Sequence, residues 1–183
     1  MENAESDMLT QNPGSVYQIA YIVEDLEESA NQWAKTAGAG PFVLFDHFQF
    51  INPLHNGRSV DLDVSIALGF SAGLCVELIK QHDERPSIYH DWWVEKGYGL
   101  HHVAMLAADY PAVISSKNDS GIPTAFSAAF GEGTRLAYLD TRQSLGCYLE
   151  IVELTEFVKG ALASMRADHE NWDGADVLRP FPT

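Results

Sequence analysis

Between positions 60 and 70 the chain alternates, with Asp61, Asp63 and Ser65 set between Leu62, Val64 and Ile66. Side chains along a strand point to opposite faces in turn, so a period of two predicts a strand with one buried face. A different period runs through Leu26, Ala30, Trp33 and Ala34. Apolar residues that return every three or four positions predict a helix, here over 26–37. Asp25 opens it, and Gly38, Gly40 and Pro41 stop it. β-branched and aromatic runs predict further strands over 16–23, 42–50 and 74–80, with Asn52-Pro53 and Asn56-Gly57 marking a turn region.

The order then returns. Strands are predicted over 100–107, 123–129, 135–140 and 145–153, with a helix over 109–120 after the first of them. Pro111 is tolerable in a first helical turn. A terminal helix over 155–166 places Phe157, Val158, Ala161, Leu162 and Met165 on one face, with Thr155 able to cap it. Each half therefore reads βαβββ. Two phrases repeat with the pattern: Gln18-Ile19-Ala20-Tyr21 returns as His102-Val103-Ala104-Met105, and Val76-Glu77-Leu78-Ile79 as Leu149-Glu150-Ile151-Val152. A repeated unit that cannot bury its apolar face alone stacks on its copy. The expected fold is α+β: a disordered lead (1–15), a first module (16–80), a polar and aromatic connector (81–99), a second module (100–154), and a C-terminal helix and tail (155–183). The two modules would share an open, barrel-like cavity.

The repeat brings four metal-capable side chains into equivalent strands: Gln18 and Glu77 from one half, His102 and Glu150 from the other. The other faces of the two Glu strands carry Val76 and Leu78, and Leu149 and Ile151, which suit packing beneath a helix. A carboxylate in the middle of such a strand is costly unless paired or bound to metal. One imidazole nitrogen with three oxygens suits a divalent ion such as Zn, Ni, Co, Mn or Fe, with Mg admitted. Strand parity puts Cys75 on the ligand face and His101 on the opposite one. His47, His55, His82 and His90 show no ligand spacing among themselves, and Arg135, Asp61 and Asp63 read as ion-pairing residues. Tyr89, Trp92, Trp93 and Tyr98 in the connector fit a pocket wall, a core or a dimer surface equally.

Composition narrows the partners. The formal charge of −15 argues against nucleic acid and anionic membrane surfaces, which both require Lys/Arg patches. It also disfavours a polyphosphate-bearing substrate. No apolar run approaches the length of a spanning helix, and the first fifteen residues lack the pattern of a secretory signal. Two cysteines, Cys75 and Cys147, make no disulfide framework, so a reducing, cytoplasmic setting is the expectation.

The paired βαβββ pattern with Gln18, Glu77, His102 and Glu150 at these strand positions resembles the vicinal oxygen chelate superfamily. Glyoxalase I, methylmalonyl-CoA epimerase, extradiol dioxygenases and bleomycin-resistance proteins belong to it. The resemblance covers about 16–154. It implies that Gln18, Glu77, His102 and Glu150 hold the metal, and that Glu150 acts as base with Glu77 as its alternate. The Gln/Glu/His/Glu set is similar to that of glyoxalase I, whereas Gly99-Leu100-His101-His102-Val103 is similar to the epimerase, which usually has Gln where Glu77 stands. Gln18 in place of a histidine disfavours oxygen-activating iron chemistry. The resemblance implies a homodimer and a carbonyl-containing small-molecule substrate, and the aromatic, acidic composition suggests that the substrate is hydrophobic. Three functions stay open: a metal-dependent isomerase or lyase that moves a proton next to a carbonyl, an Fe(II) dioxygenase, and a non-catalytic binding protein of the resistance type.

Overall fold

The computed structural model describes residues 14–181. Its elements are β1 (Val16–Ile22), α1 (Leu26–Ala37), β2 (Phe42–Phe48), β3 (Ile51–His55), β4 (Arg58–Ser59), β5 (Val64–Ser71), β6 (Leu74–Gln81) and α2 (Ile88–Lys96). There follow β7 (Gly99–Ala107), α3 (Tyr110–Asp119), β8 (Thr124–Phe130), β9 (Thr134–Leu139), α4 (Arg142–Leu145), β10 (Tyr148–Glu153), α5 (Glu156–Glu170) and β11 (Leu178–Pro180). All but Gly14 and Ser15 of the expected disordered lead lies outside the described residues.

The strands form one sheet of 11 in the order β11-β2-β5-β6-β1-β7-β10-β9-β8-β3-β4. β1 and β7 run antiparallel at its centre, β6 lies parallel beside β1, and β10 lies parallel beside β7. The two halves thus meet about a local two-fold between equivalent strands. β2 lies near one end of the sheet and β3 near the other, yet only Gln49 and Phe50 join them in the chain. The sheet must therefore curl until its ends meet. Phe50 closes the seam, 4.9 Å from Phe48 and 5.7 Å from Phe126 between ring centroids.

Strand parity sorts the core. Outward residues Val76, Leu78, Ala67 and Phe42 pack under Leu26 and Ala30 of α1, and Leu149, Ile151, Ala137 and Leu139 pack under α3 at Tyr110. Each large apolar side chain so buried stabilises by about 1.5–3 kcal/mol, which helps offset the polar groups buried inside the curl. Asp25 Oδ1 accepts from Glu28 N at 2.9 Å and caps α1. Thr155 Oγ1 accepts from Val158 N at 3.2 Å and caps α5. α5 lays Val158, Leu162 and Met165 onto the inner core. His169 near its end donates from Nδ1 to Gly40 O at 2.5 Å and accepts from Ala72 N at 3.1 Å.

Four local expectations need correction. The turn region after β2 is itself a hairpin, β3 and β4, turning at Asn56-Gly57, where both residues have positive φ. β5 begins at Val64 rather than 60, because Val64 is the last position paired to both Phe48 and Gln81, whereas Val60 bonds instead to Pro53 of β3. The connector holds a helix, α2, capped by Ser87 Oγ, which accepts from Tyr89 N and His90 N. β10 begins at Tyr148, because residues 142–145 make one helical turn, α4, that ends at Gly146 with φ 76°. β11, in the tail, has no counterpart among the predicted strands.

Candidate metal centre

The register of the four central strands brings the repeated phrases together. Across the β1/β7 pair Gln18 stands opposite Ala104, and His102 opposite Ala20. Glu77 lies beside Ala20 on β6, and Glu150 beside Ala104 on β10. Each alanine is therefore flanked by two of the four polar residues. Both alanines are fully buried. Their methyl groups occupy little of the inner face, which leaves room for four longer side chains to converge.

They do converge. Gln18 Nε2 donates to Glu77 Oε2 at 2.7 Å and to Glu150 Oε2 at 3.5 Å. His102 Nε2 lies 3.1 Å from Glu77 Oε2 and 3.3 Å from Glu150 Oε2. Ligand atoms of Glu77, His102 and Glu150 all lie within 4.8 Å of one another. All four side chains are buried, and His102 is fully so. Despite the short distances, His102 Nε2 has no well-aligned hydrogen-bond partner. It points into the space the two carboxylates share. A buried polar atom without a partner costs about 1–3 kcal/mol. Here the donor set fits a divalent cation, which would satisfy the imidazole lone pair and both carboxylates at once. Gln18 would join them once its amide turned to present Oε1.

The electrostatics agree. Burial pushes the Glu77 carboxyl above its usual range, against the opposing pull of His102. Burial works against charge on His102, but the negative charges of Glu150 and Glu77 outweigh it and push the imidazole up to about 9. Without a cation, a protonated His102 ring offsets one unit of negative charge between the two glutamates.

Two β-bulges refine the parity prediction. Tyr17 has no partner in the β1/β7 register, and neither has His101. An extra residue in one strand breaks the alternation, so consecutive side chains reach the same side. Tyr17 joins the inner core, where burial and then Glu150 raise its phenol. His101, expected on the opposite face, lies inward with its Nδ1 2.9 Å from His102 Nδ1. The bulges occupy equivalent places, each just before the first-strand residue of its module. Cys75 is inward, as expected, and burial raises its thiol.

Aromatic rings wall the centre. The ring of Tyr138 lies 4.7 Å from that of His102, and its hydroxyl is 3.0 Å from that of Tyr89. Burial raises both phenols, and Glu77 and Glu150 raise them further. Tyr89 and Trp92 come from α2, so the connector contributes to the inner core. Tyr89, Trp93 and Tyr98 also line a cavity of about 180 Å³ at the ends of β1 and β6, with Lys80 and His82 at its wall. Sequence reasoning passes over Tyr17 and Tyr138 and puts His101 on the wrong face, because bulges and long-range pairing place all three.

A second group of metal-capable side chains lies on the exterior, formed by Asp46, His47 and His82. The linear spacing of these histidines gave no sign of it, because β2 and β6 meet there only through β5. Ser65 Oγ donates to Asp46 Oδ1 at 2.6 Å, accepts from His47 N at 2.9 Å and lies 2.7 Å from His82 Nε2. Asp63 pairs with His47 at 2.5 Å, Asp61 with Arg85, and Arg135 with Glu153 at 2.6 Å, as ion-pairing residues on the surface.

Residues 17–138 match the Glyoxalase/Bleomycin resistance protein/Dioxygenase superfamily. A hypothetical protein from Bacillus halodurans C-125 is similar in structure, with TM-score 0.58 and 18% identity over 78% of this chain and 95% of its own. Methylmalonyl-CoA epimerase from Mycobacterium tuberculosis is similar with TM-score 0.57 and 15% identity, over 85% and 98%. A methylmalonyl-CoA epimerase in complex with methylmalonyl-CoA and NH4+ is similar with TM-score 0.51 and 19% identity, over 79% and 97%. At these identities the likeness is one of fold. No curated protein matches the chain in sequence. Among the described residues no helix is long and apolar enough to cross a membrane. The chain belongs to the Glyoxalase/Bleomycin resistance protein/Dioxygenase superfamily.

Proposed function

Proceeding from that membership, we propose that the protein is a metal-dependent enzyme of the isomerase or lyase kind. It moves a proton next to a carbonyl group of a small organic substrate. One observation carries the reading: the unpartnered Nε2 of buried His102, directed between two buried carboxylates. Gln18, Glu77, His102 and Glu150 would hold a divalent ion, with Zn, Ni, Co, Mn and Fe all suited to the donor set. Such an ion supplies Lewis acidity, drawing electron density from a carbonyl oxygen and acidifying the adjacent C–H.

The chain's own residues do the rest. Glu150 is the base that takes the proton. It is held less tightly than Glu77, at 3.5 Å rather than 2.7 Å from Gln18 and 3.3 Å rather than 3.1 Å from His102. Glu77 stays fixed and serves as the alternate base on the other side. Tyr138 and Tyr89, both buried, exclude water and keep the medium around the carboxylates poorly polar. The aromatic rings that wall the centre and the net charge of −15 favour a hydrophobic carbonyl compound over a polyphosphate.

The test is proton exchange in D2O, followed by NMR, with simple α-hydroxy ketones and methylmalonyl-CoA as probes and the protein reconstituted with Co²⁺ or Zn²⁺. The wild type is expected to wash deuterium into the carbon next to the carbonyl of a hydroxy ketone, and less into methylmalonyl-CoA, whose phosphates the net negative charge disfavours. Glu150→Gln is expected to retain the ion and lose exchange by about 10²–10⁴-fold. Exchange at the wild-type rate in Glu150→Gln would remove Glu150 as base. A second reading, a sequestering protein without turnover, draws on how closely α2 covers the centre. It gains if the protein binds the ion and a probe but exchanges no proton.

A further inference from the structure

His101 is the buried polar residue that the proposed proton transfer leaves unused. Its ring is fully buried and boxed by Tyr89, Trp92, Tyr138 and Tyr148, with centroids 5.1–5.7 Å away. No carboxylate accompanies it there. Its two nitrogens have one neighbour each. Nε2 lies 3.4 Å from the carbonyl oxygen of Ile88, the first residue of α2. Nδ1 lies 2.9 Å from Nδ1 of His102.

These contacts have one consistent assignment. A carbonyl oxygen only accepts, so the hydrogen on His101 sits on Nε2 and points to Ile88. Its Nδ1 is then bare and must accept, so His102 donates from its own Nδ1. A neutral His102 with hydrogen on Nδ1 has its lone pair on Nε2, the atom directed between Glu77 and Glu150. We propose that His101 is a positioning residue: it fixes the tautomer and ring orientation of His102, and through Ile88 it couples the metal centre to the docking of α2. The bulge in β7 is what makes this geometry available, because regular alternation would send His101 to the other face. The far end of the relay is itself anchored. Ser87 caps α2 and donates to Gln81 Oε1 at 2.5 Å, which ties the helix start to the end of β6.

The proposal rests on the buried cluster being a metal site, and its test separates the two. Long-range ¹H–¹⁵N correlation of the histidine rings in the metal-free full chain reads the tautomer of His101 directly. Hydrogen on Nε2 with a bare Nδ1 is expected, and the reverse overturns the relay. Calorimetric titration with Zn²⁺ then reads its consequence. His101→Phe keeps an aromatic ring but accepts no hydrogen bond, and is expected to weaken Zn²⁺ binding about 10–100-fold. His101→Asn restores an acceptor and is expected to recover most of that loss. Binding by His101→Phe within twofold of wild type overturns the proposal, as does equal weakening in His101→Asn. If His101→Phe does not fold, the wild-type spectrum and His101→Asn still decide. A wild type that binds no Zn²⁺ defeats the functional reading, whereas the histidine spectrum still tests the relay by itself.

Discussion

Among the described residues the protein carries two groups of metal-capable side chains, and they differ in burial and in how their contacts are satisfied. Glu77, His102 and Glu150 are buried on the inner face of the sheet, whereas Asp46, His47 and His82 lie exposed on the outside. In the outer group every contact has a protein partner: Ser65 binds Asp46, the His47 backbone and His82, and Asp63 holds the His47 ring. In the inner group a nitrogen is left without a hydrogen bond, and burial raises the Glu77 carboxyl above its usual range. Ions compete with water for the outer group and with the proton on His102 for the inner one. Proximity of His and Asp side chains is thus a weak sign of a metal site. Unsatisfied, buried and convergent donors are a strong one.

The largest effect that could break this contrast is loss of the ion. Elemental analysis of the purified or reconstituted protein is expected to find near-stoichiometric divalent metal in the wild type and almost none in His102→Ala or Glu150→Ala. His47→Ala and His82→Ala should keep wild-type content. Metal that follows the outer substitutions instead would reverse the assignment.

A smaller but more specific effect comes from the two alanines. Ala20 and Ala104 leave the space into which the four side chains converge. Ala104→Val inserts two methyl groups between Gln18 and Glu150. Overpacking of a tight core costs about 1–3 kcal/mol, so the variant is expected to fold with a lower melting temperature. Its Zn²⁺ affinity should fall at least about tenfold, the equivalent of 1.4 kcal/mol. Unchanged affinity would mean that the ion does not sit against this face.

The next effect depends on pH. His102 titrates at about 9 in the metal-free fold, above the ordinary value near 6.5. A raised folded value favours the native state fully below about 6.5, and the benefit is lost as pH rises through about 9. Metal-free protein should therefore lose stability across that window in urea titrations, while ion-loaded protein loses less. Binding must also displace the proton, so about one proton per ion should be released at neutral pH. Calorimetry in buffers of different ionisation enthalpy reads it. Zero release would show that His102 is not displaced from its protonated state by the ion.

Much of this was legible in the chain. The repeat of Gln18-Ile19-Ala20 in His102-Val103-Ala104, and of Glu77 in Glu150, pointed to the strands that meet at the centre, because a duplicated module must present equivalent positions about its two-fold. Period-two and period-3.6 patterns located α1, α3, α5 and most strands. What was hidden depends on long-range pairing. The bulges at Tyr17 and His101 exist only in the register between β1 and β7, and parity counted along one strand puts both residues on the wrong face. β5 starts late because its partners end, which its own alternation cannot reveal. α2 did leave a local trace, since Ser87 precedes Ile88, Tyr89 and Trp92 at cap and helical spacing, but its aromatic residues read equally well as a pocket wall.

The smallest effect tests the outer group by untying it. Ser65 is almost fully buried beneath three exposed residues, and its one hydroxyl serves all of them. Ser65→Ala removes those contacts without adding volume, and about 1 kcal/mol of stability should go with them. The loss should depend on pH in the direction opposite to that of His102. The hydroxyl of Ser65 holds the Asp46 carboxyl below its ordinary value. A depressed carboxyl stabilises the fold above its unfolded value, and that benefit vanishes as pH falls through the folded one. Wild type and Ser65→Ala should therefore differ most near neutral pH and converge in acid, with identical metal content throughout. If Ser65→Ala instead emptied the protein of metal while the inner residues were intact, the outer group would be a binding site held in shape by Ser65, and burial would cease to be what separates the two.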